Sequence, residues 1–64
     1  MLDNNTYNLM MQLVEESQSV WRIRSAYQQE AADCDECVQV WQRLLAEKER
    51  NVDQLEGLVK SHLK

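Results

Sequence analysis

The sequence contains no proline, no phenylalanine and only one glycine. Proline and glycine are the residues that most often interrupt a helix, so their near absence leaves few places where a helix has to end. Glutamate, glutamine and leucine are plentiful instead. This composition favours helix almost everywhere and disfavours a sheet. The sequence therefore predicts an all-α fold.

The chain is also short and carries no excess of positive charge. Its 64 residues allow one domain, and a chain of this size usually needs a disulfide, a metal or a partner subunit for stability. A formal net charge of −4 repels phosphate and predicts no nucleic-acid and no membrane partner. No apolar run approaches the roughly 20 residues of a membrane span. The start, "MLDNNTYNLMM", lacks the features of a signal peptide, which predicts a cytoplasmic protein with reduced thiols.

Two seams of mainly apolar residues, spaced alternately three and four apart, dominate the pattern. The seam of the first half consists of Thr6, Leu9, Leu13, Glu16, Val20, Ile23, Tyr27 and Glu30. The seam of the second half consists of Val38, Trp41, Leu45, Lys48, Val52, Leu55, Val59 and His62. This spacing places each set on one face of an α-helix. The sequence therefore predicts two amphipathic helices whose apolar faces need to be covered.

The registers of the two seams do not join, and the slip falls within "AADCDEC", residues 31–37. Asp33 followed by Glu36 fits a capping box, which starts a new helix. We therefore predict helix one at about residues 4–31, a turn at about 32–34 and helix two at about 34–62. So short a turn implies an antiparallel helical hairpin. One continuous helix with a stutter is the alternative.

Helix starts and contacts between the helices can also be predicted. The run "NNT", which is Asn4, Asn5 and Thr6, is expected to cap the first helix. Folding the chain about residue 34 brings Glu16 level with Lys48, and such a polar pair would fix the register of the two helices. The aromatic residues are expected to pack in the core or at an interface, with Tyr27 meeting Trp41 near the turn and with Tyr7 and Trp21 in similar roles.

An antiparallel pair of such wide apolar faces leaves part of each face uncovered. The sequence therefore predicts that two hairpins form a homodimer, a four-helix bundle. Its function would be that of a non-catalytic module for self-association, which also binds helical segments of other proteins and needs no cofactor. The predicted interface consists of Leu13, Val20, Ile23, Tyr27, Val38, Trp41, Leu45, Val52, Leu55 and Val59.

The two cysteines, Cys34 and Cys37, form a C-x-x-C motif. This spacing brings two thiolates within reach of one metal ion, although two ligands do not complete a tetrahedral zinc site. Redox catalysis is disfavoured because the neighbouring carboxylates oppose formation of a thiolate. The favoured interpretation is that both cysteines are small buried residues packed at the helix turn. A metal site and a disulfide remain the alternatives.

The segments "EESQSVW" and "AEKERNVDQLEGL" resemble the paired helices of ferritin-like proteins of the rubrerythrin and encapsulated-ferritin type. In that family, a glutamate on one helix and a Glu-x-x-His motif on the next bind two irons between hairpins. The resemblance matches Glu16 to the first glutamate and Glu47 to the second, but Arg50 stands where the histidine would be. It implies a ferritin-like hairpin without an intact iron site. The alternative function is therefore metal binding or iron handling, through Glu16 and other bundle carboxylates or through Cys34 and Cys37.

Overall fold

The computed structural model describes residues 3–63, and within that range the chain is helical, with no strand. The predicted all-α class is therefore confirmed for this part of the chain. Three α-helical segments and one π-helical turn follow each other in the order α1 (Asn4–Arg22), the π turn (Ile23–Tyr27), α2 (Gln28–Glu30) and α3 (Asp35–His62). The backbone stays helical from α1 through α2, so these segments form one continuous N-terminal helix. A turn at residues 31–34 separates this helix from α3.

The cap of α1 lies one residue before the expected run. Asp3 has an extended backbone, with φ −74° and ψ 165°, and Asn4 already begins the helix. The carboxylate Oδ1 of Asp3 accepts a hydrogen bond of 2.7 Å from the backbone N–H of Thr6. The prediction that Asn4 and its two neighbours cap the helix was therefore wrong. Aspartate ranks with asparagine as a cap, and the residue that leaves the helical backbone conformation takes the role.

The π turn is maintained by hydrogen bonds that a regular α-helix does not make. The backbone N–H of Gln28 donates to the carbonyl oxygen of Ile23, five residues earlier. The hydroxyl of Ser25 donates to the carbonyl oxygen of Trp21 over 2.7 Å. Serine hydroxyls that bond to the carbonyl four residues back often bend a helix, and a π turn widens it by one residue.

This extra residue changes which side chains face α3. The seam in the sequence predicts that Glu30 faces inward, but Glu30 is exposed and Ala31 is half-buried instead. The shift by one position is what the insertion of one residue into a helical turn produces. Before the π turn the predicted seam holds, since its members there are all buried or half-buried: Thr6, Leu9, Leu13, Glu16 and Val20. Ile23, the first residue of the π turn, is the most deeply buried large side chain, at 1% exposure.

The N-terminal helix packs along α3 in a molecule that measures 48 × 15 × 14 Å. Among residues 3–63 only three are buried, namely Thr6, Ile23 and Val59. The predicted interface residues are all buried or half-buried within one copy: Leu13, Val20, Ile23, Tyr27, Val38, Trp41, Leu45, Val52, Leu55 and Val59. The contact between the two helices of one copy therefore covers these apolar faces, but it buries few side chains completely. Within residues 3–63 no helix is both long enough and apolar enough to cross a membrane.

Candidate functional site

Cys34 and Cys37 are joined by a disulfide, with their Cα atoms 5.3 Å apart. Neither is therefore a free thiol, and Cys37 is exposed while Cys34 is half-buried. The favoured interpretation of two buried, reduced packing residues was wrong, and the disulfide alternative is the one that the structure contains. The reason is local, because the side chain of Cys34 turns back over the first turn of α3, where Cys37 lies.

Cys34 is also the N-cap of α3. Its backbone is extended, with φ −128° and ψ 98°, and its Sγ accepts a hydrogen bond of 3.2 Å from the backbone N–H of Cys37. Asp33 lies in the turn, and its side chain is exposed. The predicted capping box of Asp33 and Glu36 was therefore wrong, because a sulfur atom one residue later occupies the position of the expected carboxylate oxygen.

A shallow groove runs beside the disulfide. The rings of Tyr27 and Trp41 form one wall, with centroids 4.9 Å apart and planes inclined by 42°. The prediction that these two rings meet near the turn is confirmed. The groove has a volume of about 310 Å³ and is lined by Tyr27, Glu30, Ala31, Asp33, Cys34, Cys37 and Trp41. It therefore combines aromatic rings, carboxylates and the disulfide in one place.

Glu16, the candidate bundle carboxylate, lies halfway along the contact between the helices. Its Oε1 is 3.5 Å from Nζ of Lys48, and its Oε2 is 3.5 Å from Nδ2 of Asn51. The predicted pairing of Glu16 with Lys48 is confirmed. No group of three histidine, cysteine or acidic side chains that could hold a metal occurs among residues 3–63. Glu47 makes an ion pair of 3.4 Å with Arg43.

We predict that Glu16 and Lys48 stabilise each other enough to be measured by a double-mutant cycle. Their side chains are only 14% and 28% exposed, so replacing either one with leucine leaves a partly buried charge without its partner. Each single variant should lose about 1–2 kcal/mol of unfolding free energy, and the double leucine variant should be at least as stable as either. Urea unfolding of the four proteins measures the coupling, and strictly additive losses would contradict the contact.

A second apolar stripe lies on the outer side of α1. Its members are Tyr7, Met11, Val14 and Trp21, all exposed, and Trp21 is 69% exposed. We call this set the outer stripe. Its positions are separated by four, three and seven residues, so they share one helix face. The expectation that Tyr7 and Trp21 pack in the core does not hold within one copy. The spacing of the outer stripe could be read from the sequence. It was not identified because the seam that contains Leu9 and Leu13 is the more regular pattern.

The pKa of Asp3 lies below the ordinary value of an aspartate. The hydrogen bond from the backbone N–H of Thr6 lowers the pKa of Asp3 below 3.8, with smaller contributions from the Thr6 side chain and from His62. The ionised carboxylate is the better cap, so its contribution to stability is fully present above pH 3.8 and is lost as the pH falls through the lowered pKa.

We therefore predict that an Asp3→Asn variant is less sensitive to acid than the natural chain. Asparagine keeps a capping oxygen but does not titrate in this range. Thermal unfolding followed between about pH 6 and pH 2 should show a smaller loss of melting temperature for the variant. Identical curves for the two proteins would show that Asp3 is not linked to folding.

Comparison of the chain with protein-family models, with curated proteins and with solved structures finds no match.

Proposed function

We propose that this chain is a non-catalytic antiparallel helical hairpin whose function is self-association into a homodimer of four helices. The antiparallel arrangement is supported by contacts at two levels. Tyr27 meets Trp41 close to the turn, and Glu16 meets Lys48 farther from it. Contacts that pair earlier residues of one helix with later residues of the other are typical of an antiparallel pair.

The observation that carries the proposal is the combination of a thin core with an exposed outer stripe. One copy buries only three residues of the described range, which is little for a chain that has to fold without a partner. At the same time Tyr7, Met11, Val14 and Trp21 remain exposed along α1. Aligned apolar residues on a helix surface usually mark an interaction site. Docking of a second copy would cover them.

The outer stripe is small for a protein–protein interface. A whole aromatic side chain covers about 150–250 Å², so the exposed parts of Tyr7 and Trp21 offer on the order of 200 Å². A standard interface buries about 800 Å² from each partner, and one helix face with its flanks supplies somewhat less. Interfaces below the standard size are typical of weak, transient association, so we expect a weak dimer whose formation depends on concentration.

Charge favours a second copy over a basic or acidic partner. The outer stripe itself contains no charged residue, and the residues 4–24 contain two acidic and two basic side chains: Glu15, Glu16, Arg22 and Arg24. The excess negative charge of the chain therefore lies elsewhere. Two α1 helices can approach each other with little net repulsion, whereas two α3 helices would bring acidic surfaces together.

Sedimentation equilibrium of the full chain over a wide range of concentrations tests this proposal. We expect the mass to rise from that of one 7.6 kDa chain towards twice that value. The association should become tighter with added salt, because each copy carries a net charge of −4 and salt screens the remaining repulsion. A folded protein that keeps the mass of one chain up to about 1 mM would contradict self-association. The outer stripe would then have to bind a different partner.

A further inference from the structure

We propose that the Cys34–Cys37 disulfide is a reversible thiol–disulfide exchange site whose preferred partner is a thiol carried by a cationic molecule or by a basic peptide. This activity is independent of self-association, because the disulfide lies at the turn and the outer stripe lies on α1. It also reverses the expectation from the sequence, where the neighbouring carboxylates counted against redox chemistry.

The position of the disulfide favours exchange over a purely structural role. Its two cysteines are only three positions apart, so it closes a short loop and constrains the unfolded chain much less than a long-range disulfide would. Cys37 is exposed, which gives an attacking thiolate access to its sulfur. Accessible disulfides are the labile ones, whereas structural disulfides are usually protected.

The N-terminus of α3 favours Cys34 as the leaving group when the disulfide breaks. Sγ of Cys34 accepts a hydrogen bond of 3.2 Å from the backbone N–H of Cys37, and it sits at the positive end of a helix of 28 residues. Both effects favour a thiolate on Cys34. The exposed carboxylates nearby oppose it. The hydrogen bond acts directly on the sulfur that leaves, which is not the case for Cys37.

The exchange can be written with all atoms accounted for. A thiolate of the partner attacks Sγ of Cys37, which is the exposed cysteine of the two. The bond between the two cysteines breaks, and Cys34 leaves as a thiolate that takes up a proton. A second partner thiol then attacks the mixed disulfide on Cys37 and releases that cysteine. The net result is that the protein disulfide is reduced to two thiols while two partner thiols are oxidised to one disulfide.

The surroundings of the sulfurs select the charge of the partner. The residues 30–41 contain four carboxylates and no basic side chain: Glu30, Asp33, Asp35 and Glu36. All four are exposed, and two of them line the groove with the rings of Tyr27 and Trp41. Carboxylates attract a cation electrostatically, and aromatic faces do so through their ring electrons. An anionic thiol is repelled by the same groups.

Reduction of the folded chain by three small thiols tests both parts of the proposal. The probes are cysteamine, which is cationic, 2-mercaptoethanol, which is neutral, and mercaptoacetate, which is anionic. Each rate is divided by that of the same thiol on an uncharged reference disulfide. At low ionic strength we expect cysteamine to react at least roughly tenfold faster than mercaptoacetate, and high salt should largely abolish the difference. Reoxidation by the matching disulfides should restore the bond.

Two variants control for the mechanism. In Glu30→Gln combined with Asp33→Asn, which removes the two carboxylates of the groove, the preference for cysteamine should fall several-fold while the disulfide still exchanges. When Cys34→Ser is incubated with cystamine, the disulfide of cysteamine, the Cys37 thiolate should release one cysteamine and keep the other as a stable mixed disulfide, because Cys34 is absent and cannot displace it. Circular dichroism confirms that each protein stays helical. A disulfide that resists all three thiols until the chain unfolds would overturn the exchange site, and equal corrected rates would overturn the cationic partner.

Discussion

Replacing Ile23 with alanine is expected to remove about half of the free energy of unfolding of the chain at 25 °C. Ile23 is the one large side chain of the described residues that is almost completely buried. An isoleucine-to-alanine change at such a site costs about 2–5 kcal/mol. At roughly 0.05–0.15 kcal/mol per residue, a chain of this length has a total unfolding free energy of only about 3–10 kcal/mol. The loss should appear as a lower urea midpoint in circular dichroism.

Leu58→Ala is the matched control for this experiment. It removes the same number of carbon atoms from α3, but Leu58 is exposed, so little apolar contact is lost and alanine is the better helix former. We expect a change in unfolding free energy of less than about 1 kcal/mol. Equal losses for Ile23→Ala and Leu58→Ala would contradict the position of the core, and would mean that Leu58 is covered by a second copy instead.

Val14→Glu is expected to dissociate the proposed dimer without unfolding the chain. Val14 lies in the middle of the outer stripe and is 48% exposed in one copy, so glutamate is tolerated in the monomer and even improves helix propensity. In the dimer the same carboxylate would be buried against apolar side chains, which costs several kcal/mol. The dissociation constant should therefore rise by at least roughly 100-fold.

Val40→Glu provides the comparison, because it changes the same residue type at nearly the same exposure, 45%, on α3. If α1 forms the dimer contact, Val40→Glu should leave the dissociation constant within about threefold of that of the natural chain. Sedimentation equilibrium of both variants measures the difference. Loss of association in Val40→Glu alone would move the interface to α3 and would refute the outer stripe as the contact.

Much of the fold could be predicted because it depends on local patterns. The seam spacing of the two halves predicted two helices, the pairing of Glu16 with Lys48 and the contact of Tyr27 with Trp41, which the structure contains. Helix periodicity determines which side chains share a face, and complementary faces then determine which side chains meet. The candidate site was only partly predictable, since the C-x-x-C motif identified Cys34 and Cys37 but not their bonding.

By itself, therefore, the sequence determined the helical class, the two helices and the faces by which they pack, since composition and periodicity act through neighbouring residues along the chain. Only the tertiary structure decided the π turn at Ile23–Tyr27, the capping of α3 by Cys34 and the exposure of Trp21. Each of these was one of several local options of similar energy. Packing against α3 selects one local conformation at each place, because it determines which side chains are covered.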